Sequence, residues 1–178
     1  MDIREFAAQS MERTRRITLD MVKELSPAQM RWRAGPEANT IGFLLFHSFR
    51  TEDRYFHTWM TGVGEVWERE GWSDRIQLPS PPSNPESIWT MGYSWTPEEV
   101  AAWEPPAVAE LLAYGQAVRE SALKILGEFD LGRLQEPLNP DHPQMTIGYF
   151  VYSGSHHEAQ HQGQIDYILG LMQTAEAG

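Results

Sequence analysis

The sequence contains no cysteine, and this absence excludes disulfide bonds, thiolate metal ligands and a cysteine nucleophile. Basic residues are also scarce, since 14 Lys and Arg stand against 25 Asp and Glu and give a formal net charge of −11. Nucleic acids are bound largely through Lys and Arg, so we expect no nucleic-acid partner. No stretch approaches the roughly 18 apolar residues of a membrane span, and no signal segment opens the chain. We therefore expect a soluble, cytoplasmic protein in which any metal is bound by histidines and carboxylates.

The apolar residues of the chain do follow a helical periodicity. Its 178 residues, 41% of them hydrophobic, suffice for one globular domain over residues 1–178. Apolar residues recur at three- and four-residue steps in four long segments, which predict helices over about 2–24, 41–61, 107–128 and 146–173. The predicted buried face of the first helix consists of Ile3, Phe6, Ala7, Ser10, Thr14, Ile17, Met21 and Leu25.

The segment from Gly62 to Pro106 breaks this pattern. Its prolines exclude a long helix, while its five tryptophans are too many large apolar side chains for a disordered linker. We therefore expect an ordered crossover, with a short helix that begins at a capping box formed by Thr96 and Glu99. A connection of about forty residues exceeds what a turn between antiparallel helices needs. The predicted fold is all-α, a four-helix bundle in which helices 2 and 3 run parallel.

The most informative stretch is His157-Glu158-Ala159-Gln160-His161. Two histidines four residues apart lie within about 40° of each other around a helix, so both imidazoles point from one face and can bind one metal ion. The alternative is a pair of solvated surface histidines. Three features favour the metal: the neighbouring His156; Gly163, which permits a close helix approach; and Gln164 with Ile168, which continue the stripe inward.

His47 is the predicted third ligand, because it lies in the most apolar helix of the chain, between Leu44 and Phe49. An unsatisfied polar group in such a setting costs about 1–3 kcal/mol, so a buried imidazole needs a hydrogen-bond partner or a metal. A core histidine bonded to a neighbouring side chain is the alternative. The remaining histidines are expected to be solvated: His57, His142 and His156.

The histidine pair also spells H-E-x-x-H, in which Glu158 would be the general base of a metalloprotease. Such enzymes need a third ligand downstream, yet only seventeen residues follow His161 and none of them is histidine. The third ligand therefore comes from upstream, and we expect no protease. Glu158 is the nearest candidate catalytic base, although it is rotated by about 100° from the pair. The alternative is a carboxylate that faces solvent or orients a ligand from behind.

Several short motifs occur in one order along almost the whole chain. They are Leu25-Ser26-Pro27 with Trp32, Gly35-Pro36-Glu37, Asn39-Thr40-Ile41-Gly42 before His47, and His157-x-x-x-His161-Gln162-Gly163-Gln164-Ile165. In this combination the chain resembles the DinB-like superfamily of metal-binding four-helix bundles. The resemblance implies an up-down-down-up bundle, a homodimer, and a metal held by His47, His157 and His161. Gln162 stands where the family often has arginine, which changes the charge beside the site.

Two functions are consistent with these patterns. Three neutral imidazoles leave a zinc or nickel ion with an open position, which is typical of a catalytic site. The first hypothesis is a metal-dependent enzyme, with one Zn or Ni ion per chain, that acts on a small molecule by thiol transfer or hydrolysis. Because members of known function include enzymes that depend on mycothiol or bacillithiol, the resemblance implies a low-molecular-weight thiol as cosubstrate. The second hypothesis is a non-catalytic bundle whose ion ties helix 2 to helix 4.

Overall fold

The computed structural model describes residues 1–79, 91, 95–138 and 140–176. Its α-helices are α1 (Ile3–Val22), α2 (Pro27–Arg31), α3 (Ile41–Asp53), α4 (Val66–Arg69), α5 (Trp72–Arg75), α6 (Pro97–Ala102), α7 (Val108–Glu128) and α8 (Ile147–Glu176). The long helices α1 and α3 each pack against both α7 and α8. Within the described ranges the only β pairing is a single bridge between Pro137 and Thr146, and the prediction of an all-α fold is confirmed.

Capping residues set where the helices begin. Ser26 and Thr96 form the capping boxes that open α2 and α6. The Thr40 hydroxyl accepts the Phe43 N–H at 3.0 Å and fixes the start of α3 seven residues before His47. The Thr146 hydroxyl accepts the Tyr149 N–H at 3.2 Å at the start of α8. The starts of α3, α6 and α8 agree with the prediction to within one residue.

The second long helix differs from the prediction in its last eight residues. Instead of one α-helix to about residue 61, α3 ends at Asp53 and the chain continues as a π-helix, Arg54–Thr61. The Thr61 side chain adds hydrogen bonds within this π-helix: its hydroxyl donates to the carbonyls of Phe56 and His57, both at 3.0 Å. Gly62 then ends the helix with a φ of 71°, a left-handed conformation that favours glycine. π-Helices are rare, and hydrophobic periodicity does not distinguish them from α-helices.

The buried face of α1 is rotated from the predicted one. Ile3 and Phe6 are 53% and 61% exposed, and only Ala7 of the predicted face is buried. The face includes Arg15, which enters the core because Glu52 and Glu158 neutralise it. A pattern that counts arginine as a surface residue therefore placed the face wrongly. The buried residues of this helix are Ala7, Met11, Arg15, Thr18 and Val22.

The described tryptophans of the crossover pack into the core, as expected for an ordered segment. Trp67, Trp72, Trp95 and Trp103 are all buried in the same cluster as the apolar side chains of α3. The ring centroid of Trp103 lies 5.1 Å from that of Phe46 in α3. Trp89 and the prolines at 81, 82 and 85 lie outside the described residues. No helix in the described ranges combines the length and the apolar character that a membrane crossing needs.

Candidate metal centre

Helices α3 and α8 bring His47, His157 and His161 together. One ring nitrogen of each residue lies within 4.8 Å of the other two. The His47 ring centroid is 4.9 Å from that of His157 and 5.0 Å from that of His161, and the Nε2 atoms of the pair are 3.2 Å apart. Two nitrogens that bind the same tetrahedral ion, each at about 2.0–2.1 Å, lie about 3.3 Å apart. The separation within the pair therefore fits a shared ion, and His47 offers a third nitrogen.

Hydrogen bonds behind the rings orient two of the three imidazoles. The Nδ1 atom of His47 lies 2.6 Å from the Met91 carbonyl oxygen, and the Nδ1 atom of His161 lies 2.7 Å from Oε1 of Gln164. Both partners are acceptors, so each Nδ1 carries the proton and each Nε2 presents a lone pair. Nε2 of His157 lies 3.2 Å from the nitrogen that carries the His161 lone pair, a separation at which the two nitrogens can share a proton or a cation. The donor set fits a metal ion in this respect as well.

Burial keeps these imidazoles neutral. It lowers the pKa of His47 to about 4, despite the bond to Met91, and the nearby His161 acts in the same direction. Burial also lowers the pKa of His157 to about 3, with further contributions from the other histidines. The pKa of His161 is lowered for the same first reason, burial, against the opposing bond to Gln164. Neutral imidazole is the form that binds a metal, so at pH 7 the group is ready to act as ligands.

The surroundings of the three histidines differ between the two helices. On the α3 side, the Phe43 ring stacks on His47 with an interplanar angle of 2° at 5.8 Å, and the Trp95 ring covers Phe43 at 5.4 Å. On the α8 side, His157 and His161 are only half-buried. Among the residues that the structure describes, no fourth histidine or carboxylate joins the group. A small ligand can therefore approach from the half-buried side.

Glu158 lies next to His157 in sequence but outside this group. It is 3% exposed, with Oε1 accepting from Nε of Arg15 at 2.7 Å and Oε2 accepting from Nη2 of Arg119 at 2.6 Å. Burial alone would raise its pKa, but the two guanidinium groups hold the pKa of Glu158 below its usual range. A carboxylate so bonded is a weak base. The geometry therefore disfavours the catalytic role predicted for Glu158, and it excludes the solvent-facing alternative.

The two arginines belong to a buried network that the sequence analysis missed. Glu52 of α3 accepts from Nη2 of Arg15 at 2.9 Å and from Nε of Arg119 at 2.6 Å. With Glu158, these residues tie α1, α3, α7 and α8 together, and each side chain is at most 4% exposed. A signal was present, because Glu52 interrupts the most apolar helix of the chain. A charge in that setting needs buried partners.

The other predicted features near the site have mixed outcomes. His142 and His156 are exposed, as expected, and His156 stacks on Tyr152. The expectation that His57 is solvated is wrong, since it is fully buried and both ring nitrogens are bonded. The expectation that another helix packs closely against Gly163 is wrong, because this residue is exposed and no atom lies within 4 Å of where its Cβ would be.

Fold and site together define an all-helical protein with a three-histidine group that can hold a metal ion. The sequence matches the family model of the DinB superfamily over residues 10–165, and the chain belongs to this superfamily. A crystal structure described as the conserved protein of a locus from Enterococcus faecalis is similar in fold, with a TM-score of 0.82. It is 17% identical, over 94% of this chain and 95% of that chain. A comparison with curated proteins gave no match.

Proposed function

We propose that this chain is a metal-dependent enzyme that acts on a small molecule by thiol transfer or hydrolysis. The observation that carries the proposal is the group of three neutral imidazoles, contributed by two helices and half open to solvent. Closed structural zinc sites use four protein ligands, whereas catalytic sites use three and leave a position for water or substrate. Only three ligands of this kind meet here within the described part of the chain.

The proposed cofactor is one Zn²⁺ or Ni²⁺ ion per chain, held by His47, His157 and His161. Bound in such a site, the ion supplies Lewis-acid chemistry and favours the ionised form of a water or a thiol. The chain's own groups prepare the ligands, because the Met91 carbonyl and the Gln164 amide fix the protons of two rings away from the centre. A low-molecular-weight thiol is the proposed cosubstrate if the reaction is thiol transfer.

A surface cavity beside the site supports a small substrate. It has a volume of about 210 Å³, and its lining includes Leu44, Gln164 and Ile168. Gln164 also bonds to His161, so one residue of the cavity lining contacts one of the proposed metal ligands. Its lining is mostly apolar, and Asn39 adds a polar group at its edge. A small, largely apolar molecule with one polar end suits this shape better than an extended polypeptide does.

The partners follow the same line of argument. We propose a small-molecule substrate, a cytoplasmic location, and no membrane or nucleic-acid partner; the acidic charge of the chain supports the last of these. We propose an up-down-down-up order of helices and a homodimer. Exposed apolar side chains on α1 and α8 support the dimer: Ile3, Phe6, Tyr149 and Tyr152. Substituting Phe6→Glu should then shift the sedimentation of a dimer to that of a monomer, and a variant with unchanged sedimentation would argue against this face.

Turnover by metal-loaded protein tests the function directly. Protein purified without an affinity tag would be loaded with Zn²⁺ or Ni²⁺ and incubated with mycothiol or bacillithiol and a panel of small electrophiles, and separately with small esters and amides. We expect turnover that requires the metal: it should be absent from chelated protein and from His161→Ala, and it should survive in His156→Ala, which changes an exposed neighbour outside the group. A fully loaded protein that shows no metal-dependent turnover in any assay would leave the non-catalytic metal-binding bundle as the better account.

A further inference from the structure

Asp53, His57 and Ser121 form a second chain of hydrogen bonds, and none of them belongs to the histidine group that would hold the metal. Nδ1 of His57 lies 2.8 Å from Oδ1 of Asp53 and 2.9 Å from the Asp53 carbonyl oxygen. Nε2 of His57 lies 2.7 Å from Oγ of Ser121. Asp53 and His57 are fully buried, whereas Ser121 is half-buried. The hydroxyl is therefore the end of the chain that meets the surface.

The neighbours of His57 determine where its proton lies. Both oxygens beside Nδ1 are acceptors, so in the neutral imidazole Nδ1 carries the proton and Nε2 presents a lone pair. The Ser121 hydroxyl then donates its hydrogen to Nε2. A carboxylate, an imidazole and a hydroxyl in this order make the arrangement in which histidine acts as general base for a serine nucleophile.

Asp53 is held in place to serve as the third member. Its carboxylate accepts the backbone N–H groups of Val66 and Trp67, both at 2.9 Å, and the Tyr114 hydroxyl at 2.8 Å. These bonds fix the carboxylate oxygens. Burial alone would raise the pKa of Asp53, but the bond with His57 and the charge of Arg50, 3.3 Å away, lower it. Asp53 can therefore orient the imidazole and stabilise the imidazolium that forms when His57 takes a proton.

Arg69 places a positive charge beside the hydroxyl. Its Nη2 atom lies 3.5 Å from Oγ of Ser121, at the limit of a hydrogen bond, and the side chain is exposed. A guanidinium at this position can stabilise the negative charge that develops on a carbonyl oxygen attacked by Ser121. If the contact served only to join the π-helix to α7, the hydrogen bond between His57 and Ser121 would suffice, and a charge from Arg69 would not be needed.

We propose that Ser121 is a nucleophile that accepts the acyl group of a small ester. Oγ forms a bond to the carbonyl carbon while Nε2 of His57 takes the hydroxyl proton. The bond from carbon to the ester oxygen breaks, and the leaving alcohol receives that proton from His57. Water then attacks the acyl-serine in the same way, releases the acid and restores the hydroxyl. This site is independent of the metal centre and of the function proposed for it.

Covalent labelling of the full chain tests the proposal. Diisopropyl fluorophosphate traps such a serine, because Oγ bonds to phosphorus as fluoride leaves and His57 accepts the proton. We expect one adduct per chain, mapped by peptide mass spectrometry to Ser121, and equal labelling of metal-loaded and chelated protein. The chelated protein, in which the metal centre cannot contribute to ester hydrolysis, should release p-nitrophenol from p-nitrophenyl acetate. Both signals should vanish in Ser121→Ala and persist in Ser73→Ala, a control at an exposed serine of α5.

Two further variants test whether Ser121 is labelled because His57 and Arg69 activate its hydroxyl or only because the hydroxyl is exposed. His57→Gln removes the base, and general-base catalysis contributes about 10²–10⁴-fold, so labelling should slow by at least tenfold. Arg69→Gln changes only an exposed side chain and should slow labelling with unchanged circular dichroism, which decides the matter even if His57→Gln fails to fold. The proposal is overturned if Ser121 carries no adduct, if folded His57→Gln labels at the wild-type rate, or, where His57→Gln fails to fold, if Arg69→Gln labels at the wild-type rate.

Discussion

Glu158→Gln should destabilise the fold strongly, because it removes one of the two negative charges from the buried network. Arg15 and Arg119 would then share only Glu52, and all of these side chains are at most 4% exposed. Removing one partner of a buried ion pair costs about 3–5 kcal/mol. Glutamine keeps the volume and one acceptor oxygen, so we expect the lower end, about 3 kcal/mol. For a chain of 178 residues this corresponds to a loss of about 6–12 °C in Tm.

Urea unfolding followed by circular dichroism measures this loss, and Glu52→Gln should show one of similar size because Glu52 bonds to the same two arginines. Glu136→Gln is the matched control. Glu136 pairs with Arg133 at the surface, where the two side chains are 52% and 49% exposed, so its unfolding midpoint should stay at the wild-type value. If Glu158→Gln unfolds at the wild-type midpoint, the reasoning about the network is refuted. If it keeps its stability but loses turnover, Glu158 acts in the chemistry, as the H-E-x-x-H pattern predicts.

Three further predictions concern stability. Gly115→Ala should destabilise by about 1–3 kcal/mol, because its Cβ would lie 2.6 Å from the Phe49 ring, while Gly170→Ala meets no atom within 4 Å and should stabilise by about 0.5–1 kcal/mol; equal unfolding midpoints would contradict this. Hydrogen bonds and charges lower the pKa of Asp53 below 3.8 in the fold, despite its burial, so its stabilisation is complete near pH 7 and is lost as the pH falls below about 4. The difference in free energy of unfolding between wild type and Asp53→Asn should therefore be smaller at pH 3 than at pH 7. An equal difference at both pH values would contradict this role of Asp53. Chelation should lower Tm by several degrees, since free metal at a thousand times Kd adds about 4 kcal/mol, but it should leave the helical signal at 25 °C nearly intact; loss of that signal would make the ion structural.

Capping residues and residue spacing correctly predicted the helix starts and the placement of the histidine pair, because these features depend on residues close together in sequence. Hydroxyl caps such as Thr40 and Thr146 mark where helices begin, and four-residue spacing places His157 and His161 on one face of α8. The burial of His47 also followed from its position in an apolar helix. Each of these features depends on neighbours within a few residues, which is the range that periodicity and capping rules cover.

Two of the predictions that failed concern polar side chains that are buried together with their partners. Arg15 entered the core because Glu52 and Glu158 meet it there, and this rotated the buried face of α1 away from Ile3 and Phe6. Hydrophobic periodicity treats every charged residue as exposed and so cannot place such a face. The same physics explains His57, which is buried because Asp53 and Ser121 satisfy both of its ring nitrogens.

Metal content of protein purified without an affinity tag tests the central claim most directly. By elemental mass spectrometry we expect near one Zn or Ni ion per chain in the wild type, and near zero in His47→Ala and in His161→Ala. His156→Ala should keep its metal, because this neighbour of the pair is exposed and lies outside the group. Stoichiometric metal in both His47→Ala and His161→Ala, or its loss in His156→Ala alone, would contradict the three-histidine site.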